Sequence, residues 1–420
     1  MENMYQTESL YDYEAQNILF IRRAIQKRIE QGIKQFAILP AGFWGRMTRH
    51  ILEKEFHIEP QACFDNFSFY NQDIHPVSEI RSMCLSDTVF LVAVEKEEWR
   101  GLLYQQIAPF IPDSFIELIP ILNAEQKRIF EESKKVHLDF LCPGFHKCST
   151  TSLQAALRQN KNIFLPDVKE TFFITEITES THKKFRQNYQ DNNGKSIGVL
   201  NGGIEPTYLF YAASVYQYFG RDLKILFLVR NPVEALKSAF KMSMREADKE
   251  GFELIEKYGK MCPDLMKEYI ETYYWRFLYI NFIRIYERYY PKTQIKIVLS
   301  EELIQDPSEQ METIQEFIGL PKELRIDYEE FPYENRGDTV FKDLGGAYVN
   351  HTLNMLRMNV ESVPLYLRID EIRKEVFDIT TADFNFEQYE DIWETVYDYY
   401  ADSIKSLEER MGRSLEGVWY

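Results

Sequence analysis

Cysteine is scarce and unpaired in pattern. The chain has Cys63, Cys84, Cys142, Cys148 and Cys262, an odd count with no C-x-x-C pair. Such a set supports neither a disulfide framework nor a zinc site, and reduced thiols are expected. No run of about 20 apolar residues is present to span a bilayer. The opening Met1-Glu2-Asn3-Met4-Tyr5 shows no basic stretch followed by an apolar core, so no signal peptide is expected. A soluble, cytoplasmic protein without a membrane span follows as the expectation. Positive charge is also short: 49 Lys and Arg stand against 66 Asp and Glu, a formal net charge of −17. A nucleic-acid binder needs a positive field, so no nucleic-acid partner is expected. A heavily sulfated polyanion is likewise an uncomfortable partner. Internal repeats and low-complexity segments are absent.

What is present is enough apolar surface for real cores, 45% of the residues with 15% aromatic, in a 420-residue chain. That length predicts two domains. After a helix carrying Ile18, Leu19, Ile21, Ala24 and Ile25, short apolar runs at 36–39, 62–64, 89–94 and 115–119 read as strands. Helical stretches alternate with them, which predicts a parallel α/β unit over residues 1–123. The first strand turns through Pro40-Ala41-Gly42-Phe43-Trp44-Gly45 into a helix running to Phe56. Only Gly42 and Gly45 of a G-x-G-x-x-G fingerprint are present, with Asp65 about where a ribose-binding acid would stand. Two readings stay open: a nucleotide site, or glycines that permit a tight turn in a domain that docks a partner. The unit resembles the small Rossmann-like domains found beside enzymes of surface-polysaccharide synthesis. A partner of that kind, or a second copy of the chain, is the expectation for it. Residues 124–135, charged and aperiodic, read as a linker.

The second domain, residues 136–420, opens on the most informative stretch. An apolar strand over 138–142 leads to a turn at Pro143-Gly144, then to Lys147-Cys148-Ser149-Thr150-Thr151-Ser152 and a helix over 151–159. A strand breaking into a helix that starts with Ser and Thr aims backbone N–H groups, hydroxyls and a positive helix end at one point. That suits a phosphate, and Lys147 adds a full charge. The order is not G-x-x-x-x-G-K-[ST], because Lys147 comes early and Ser149 separates it from Thr150. A second strand over 225–229 ends in Arg230-Asn231-Pro232, followed by a helix carrying Ser238. An Mg-dependent phosphoryl transferase wants a carboxylate at such a strand end; an Arg suits a second phosphate instead.

Two phosphate sites without an obvious metal ligand match 3′-phosphoadenosine 5′-phosphosulfate (PAPS). Pro143-Gly144-Phe145-His146-Lys147-Cys148-Ser149-Thr150-Thr151-Ser152-Leu153 resembles the 5′-phosphosulfate loop of sulfotransferases. Leu226-Phe227-Leu228-Val229-Arg230-Asn231-Pro232 with Ser238 resembles their 3′-phosphate element. Lys169-Glu170-Thr171-Phe172-Phe173 is similar to the Lys-Glu-x-x-Phe-Phe segment of glycan-type members. Glu205-Pro206-Thr207-Tyr208-Leu209, Tyr289-Tyr290-Pro291, Glu301-Glu302-Leu303, Asp306-Pro307 and Phe317-Ile318-Gly319-Leu320 follow in the family's order. The resemblance covers roughly residues 136–420. It implies a P-loop-NTPase-like three-layer domain with a parallel sheet, and transfer of a sulfuryl group from PAPS to a hydroxyl or amine without a metal. The implied acceptor is a glycan or glycoconjugate. Because animal glycan sulfotransferases usually carry a membrane anchor, a soluble bacterial-type enzyme of polysaccharide biosynthesis is the implied setting.

The resemblance assigns roles. Gly144, Lys147, Cys148, Ser149, Thr150, Thr151 and Ser152 would hold the 5′-phosphosulfate, with Lys147 also stabilising the leaving oxygen. Glu170 would be the general base, its carboxyl desolvated by Phe172 and Phe173; His146 and His182 are the fallbacks. Arg230 and Ser238 would take the 3′-phosphate. Arg336 and Lys342, in an expected Gly-containing loop over 331–348, would close on the cofactor. Strands over 163–166 and 197–200, a helix over 206–219 and a helix over 232–244 are expected between these motifs. A polar stretch over 243–263 is expected as a mobile segment. A helix over 263–290 would bury its aromatics or offer Tyr274 or Trp275 to a sugar. A strand over 295–299, a helix over 307–318 and a helical tail over 370–420 complete the reading. A P-loop-like kinase or NTPase and a non-catalytic nucleotide-binding scaffold remain as alternatives.

Overall fold

The computed structural model describes residues 2–66, 73–83, 85, 87–122, 124–132, 135–167, 169–189, 200–332, 339–358 and 363–420. Helix α1 spans Glu2–Glu30, and strand β1, Gln35–Leu39, follows. Helix α2 (Phe43–Glu55), β2 (Ala62–Asp65), β3 (Ile74–Pro76), β4 (Thr88–Val94), α3 (Glu97–Ile107) and β5 (Ile116–Pro120) complete the first sheet. Its order is β3-β2-β1-β4-β5, every neighbouring pair parallel. The four expected strands are found within one or two residues of their ends, and β3 is an addition too short to carry a pattern of its own. Both faces of this sheet are covered, so β4 reads as an unbroken apolar run, buried except at its last residue. Ile21, Ile25, Phe36, Leu52, Val89 and Leu91 fill one core.

Within the stretch expected as a linker lies a helix, α4 (Ala124–Glu132). Ile129 and Phe130 are buried on it, two apolar positions too few to show a period among its charges.

The second sheet has the order β10-β9-β6-β8-β7. Its first strand, β6, runs Phe140–Gly144 and leads to α5 (Thr150–Leu157). Then come β7 (Ile163–Phe164), α6 (Glu179–Asn188), β8 (Leu200–Ile204), α7 (Ala212–Phe219), β9 (Lys224–Val229) and α8 (Pro232–Glu246). The turn expected at Pro143-Gly144 comes later, because β6 continues through both residues. Residues 197–199 of an expected strand lie outside the described residues. Strand β8 runs past the expected end at residue 200 to hold Gly202 and Gly203, and pairs parallel with β6. A Cβ on Gly202 would lie 2.0 Å from the Phe140 ring, so the glycine makes room for that ring. The helix expected from Pro206 divides into a 3-10 turn at Pro206–Tyr208 and α7.

The polar stretch after α8 is ordered as α9 (Lys249–Tyr258), capped by Asp248 accepting from Gly251 N. The expected long aromatic helix is broken into α10 (Pro263–Tyr273), a 3-10 turn at Tyr274–Phe277 and α11 (Tyr279–Glu287). Strand β10 (Ile295–Leu299) and helix α13 (Pro307–Ile318), after the short α12 (Ser300–Gln305), fall where expected. The expected late loop is β11 (Thr339–Phe341) followed by α14 (Leu344–Met358), with Gly345 and Gly346 inside the helix. Gly346 lies against Thr380, where a Cβ would come within 2.8 Å. The tail holds α15 (Val363–Thr380), β12 (Thr381–Asp383), α16 (Glu390–Glu394) and α17 (Val396–Met411).

By contacts the chain forms two compact units: Met1–Pro143 with Pro166–Lys224 and Asn281–Ile295, and Gly144–Leu165 with Ile225–Ile280 and Lys296–Tyr420. Within the first unit, buried polar groups tie residues distant in sequence. The Glu97 carboxylate accepts from Ala213 N at 2.8 Å and from the Ser214 N and hydroxyl, at the start of α7. Burial pushes its carboxyl above the usual range, while Arg100 and these donors oppose that. Asn281 donates to Gln105 at 2.9 Å, and Arg288 pairs with Asp113 at 2.7 Å. Among the described residues no helix is long and apolar enough to cross a membrane.

Candidate active site

The loop between β6 and α5 is built on strain. Lys147 and Ser149 have φ of 62° and 61°, in the left-handed region that non-glycine residues avoid. Each such residue costs about 1–3 kcal/mol and persists only where its surroundings over-determine it. Here Phe145 provides the anchor. It is fully buried between the Phe227 ring at 5.5 Å and the Tyr279 ring at 4.5 Å, and its N–H donates to Leu228 O at 3.1 Å. Cys148 is buried too, its Sγ 3.4 Å from the Tyr279 hydroxyl, and its carbonyl accepts from the Ser300 hydroxyl at 3.0 Å. Cys148 therefore turns its side chain into the core. Ser149 is the N-cap of α5, Thr150 and Ser152 are buried, and Thr151 is half-buried. His146 is exposed.

Helix α8 carries the second group of residues expected to bind an anion. Asn231 caps it, accepting from Val233 N at 3.0 Å and Glu234 N, and Pro232 takes the first helical position, where its missing N–H costs nothing. Arg230 is half-buried immediately before this cap. Among the described residues no carboxylate forms an ion pair with it. Ser238 and Met242 are one turn apart on the same face of α8. The Lys147 ammonium lies 3.6 Å from the Met242 sulfur. The helix that begins beside Arg230 thus also carries Ser238 and the contact for Lys147.

A second strained segment holds Glu170. Glu170 and Phe172 have φ of 64° and 55°, so four of the seven described non-glycine residues with positive φ lie in these two short stretches. Glu170 pairs with Lys169 at 3.5 Å, and its side chain is 28% exposed. Phe172 is 48% exposed, whereas Phe173 is fully buried against His182, Phe185 and Tyr218. The two rings expected to shield Glu170 together therefore point to different surroundings. His182 is a core histidine: it is buried, its Nε2 lies 2.8 Å from the Tyr218 hydroxyl, and burial lowers its pKa.

Sequence reasoning gave Glu205 no role. It is 1% exposed, and one oxygen accepts from Thr171 N at 2.8 Å while the other accepts from the Thr171 hydroxyl at 2.8 Å. Burial raises its pKa to about 8, with the neighbouring Glu170 adding to the rise and Thr171 and Lys169 opposing it. The Tyr208 hydroxyl accepts from Ile174 N at 3.2 Å and lies 3.1 Å from the Thr171 hydroxyl. An acid opening the run Glu205-Pro206-Thr207-Tyr208 was the only available signal.

Other expected residues have other surroundings. Arg336 lies outside the described residues, and Lys342 is exposed just after β11, its N–H donating to Thr380 O at 2.9 Å. Tyr274 packs on Tyr399 at 4.8 Å, and Trp275 lies under the Arg276 guanidinium at 5.6 Å. In the first sheet, a Cβ on Gly45 would lie 1.8 Å from Pro40 O, so this glycine serves close helix–strand packing. Beside it Ile38, Cys63, Ile74, Arg46, Arg49 and Glu53 help line a cavity of about 230 Å³.

The family model described as "Sulfotransferase domain" matches residues 139–361. No curated protein matches the chain. Among solved structures, a sulfotransferase from Alicyclobacillus acidocaldarius is 20% identical with a TM-score of 0.37, covering 58% of this chain and 96% of that one. The sulfotransferase domain of the Synechococcus PCC 7002 olefin synthase is 14% identical with a TM-score of 0.30, covering 47% and 76%. A mouse sulfotransferase complexed with PAP is 14% identical with a TM-score of 0.30, covering 57% and 71%. Since the family match spans more than half of its 420 residues, this chain belongs to the sulfotransferase domain family and is an enzyme of sulfuryl transfer.

Proposed function

We propose that the chain transfers the sulfuryl group of PAPS to a hydroxyl or amine of a carbohydrate acceptor, with Glu170 as general base. The observation that carries this reading is the convergence on α8: Arg230 before its cap, Ser238 on it, and the Lys147 ammonium 3.6 Å from Met242 one turn beyond Ser238. Cations and hydroxyls gathered around one helix fit a ligand with two phosphate groups. The donor set is that of an anion site, so the residues present suit PAPS. When bound, PAPS supplies a sulfuryl group already activated on a phosphate leaving group.

The chain's own residues position and stabilise, as in other transfers through a loose transition state. Lys147 neutralises the charge that builds on the departing 5′-phosphate oxygen. Thr150, Thr151, Ser152 and the backbone from Gly144 through Ser149 hold the same end; Cys148 does so through its main chain. Arg230 and Ser238 hold the 3′-phosphate, and Lys342 joins them; Arg336 is assigned to the cofactor from its sequence position alone. Glu170 takes the acceptor proton. The carbohydrate class rests on the likeness of residues 169–173 to glycan-type enzymes. We assign residues 1–123 to a Rossmann-like domain that docks a partner of polysaccharide synthesis or a second copy, and residues 136–420 to the transferase. The setting is the cytoplasm.

The test is thermal shift without added metal. Adenosine 3′,5′-bisphosphate in excess should raise the melting temperature through linkage. Stabilisation by ATP with Mg²⁺ but not by the bisphosphate would replace this reading with a kinase or NTPase. Labelled sulfate transfer from PAPS to a panel of monosaccharide glycosides and unsulfated oligosaccharides then tests the acceptor class. Transfer to simple alcohols but to no sugar would overturn it.

A further inference from the structure

The residues on either side of Thr171 are both left-handed, with φ of 64° at Glu170 and 55° at Phe172. A chain held this way needs something to hold it, and Thr171 is where the hold is applied. Its N–H and its hydroxyl both donate to Glu205, each at 2.8 Å, so the two oxygens of one carboxyl grip one residue. Glu205 is itself fixed: it follows the last residue of β8, and its N–H donates to Cys142 O on β6 at 2.8 Å. Tyr208, three residues on, takes Ile174 N at the far end of the segment. The Glu170 backbone is therefore set from the sheet through a buried acid one peptide away.

We propose that Glu205 is a positioning residue for sulfuryl transfer, acting through Thr171 to hold the Glu170 carboxylate in its working place. This rests on the reading of Glu170 as the base. The groups whose charge reaches the Glu205 carboxyl are Lys169, Glu170, Tyr189 and Tyr208. Because the carboxyl titrates near pH 8 in this setting, it is mostly neutral at pH 7. Glutamine is the neutral counterpart: its amide oxygen accepts from Thr171 N, and the Thr171 hydroxyl, which donates to Glu205 in the wild type, turns to accept from the amide nitrogen. Alanine removes the grip altogether.

The experiment is single-turnover release of labelled sulfate from PAPS, to water or to the best sugar of the panel. It compares wild type, Glu170→Gln, Glu205→Ala, Glu205→Gln and the Glu170→Gln/Glu205→Ala double variant. Titration with adenosine 3′,5′-bisphosphate runs alongside. Glu205→Ala is expected to slow transfer by ~10–100-fold, with bisphosphate affinity unchanged and the double variant no slower than Glu170→Gln, as coupled residues behave. Glu205→Gln should stay within ~3-fold of wild type at pH 7 and flatten the rate profile between pH 7 and 9. Losses that add in the double variant would make Glu205 merely structural and sink the inference alone. Full activity of Glu170→Gln would remove the base assignment and the inference with it. A folded Glu205→Gln as slow as Glu170→Gln would make Glu205 itself the base. Should Glu205→Ala fail to fold, the rate and pH profile of Glu205→Gln decide, and a wild-type profile from it would overturn the proposal.

Discussion

The two junctions where a sheet's first strand runs into a helix, β1 to α2 and β6 to α5, have similar outlines and opposite interiors. At the first, Gly42 caps α2 with φ of −65°, and Gly45 lets the helix backbone close on Pro40. No non-glycine residue there is left-handed. At the second, two non-glycine residues are left-handed, both beside the hydroxyls that open α5. Relaxed geometry with glycine at the tight point is what packing alone produces. Strain at polar residues, held by a buried Phe145, is what a binding loop accepts in return for aimed donors. Alike in sequence outline, the two junctions differ in whether polar non-glycine residues carry backbone strain.

The largest effect is expected at Lys147. Lys147→Ala should lower transfer by ~10³-fold and weaken adenosine 3′,5′-bisphosphate binding as well, because its charge acts on both ground and transition states. Single-turnover rates and direct titration measure the two effects. Glu170→Gln should lower the transfer step by ~10²-fold or more and leave bisphosphate affinity nearly unchanged. An equal loss of binding would place Glu170 in the cofactor site instead.

The first junction should respond in stability rather than in rate. Gly45→Ala puts a methyl 1.8 Å from a backbone oxygen that cannot swing away. A loss of about 2–3 kcal/mol in denaturant unfolding is expected, with transfer per folded molecule unchanged. Glu205 supplies a pH-dependent counterpart. Its folded pKa of about 8 lies above the ordinary glutamate value of 4.5, so the folded chain keeps a proton that the unfolded chain has released. Its contribution is greatest below pH 4.5 and is lost as pH rises to about 8, by an amount on the order of a few kcal/mol. The melting-temperature difference between wild type and Glu205→Gln should shift against wild type across that window. A difference that does not change with pH would contradict the buried, protonated acid.

The smallest effect is expected at Ser149. Ser149→Gly relieves a left-handed residue and should raise stability by up to about 1 kcal/mol, while transfer falls. A fall in stability would mean that the strain at this junction is not borne by the backbone of Ser149.

Much of the candidate site was legible because its signals are local. Lys147, the Ser/Thr run and Arg230-Asn231-Pro232 sit where a buried strand ends and a helix begins, and both changes of period show in sequence. Glu205 was not legible as a functional residue, since what it grips is 34 residues away in sequence. The helix in the expected linker was missed because its two buried apolar residues are adjacent and set no period. The break in the aromatic helix was missed because Tyr274–Phe277 contains no glycine or proline to mark it. Likewise, Phe172 and Phe173 are neighbours in sequence, yet a left-handed backbone sends one outward and buries the other.

By itself the sequence determined the alternation of strands and helices and the placement of Lys147, the Ser/Thr run and Arg230 where a strand gives way to a helix. These depend on apolar period, proline and hydroxyl placement within a few residues. Only the tertiary structure decided that Cys148 faces the core, that His182 is a packed histidine, and that a buried acid holds the Glu170 segment. Each of those depends on which groups meet across the fold, and on a backbone conformation that no residue type demands and only its neighbours can enforce.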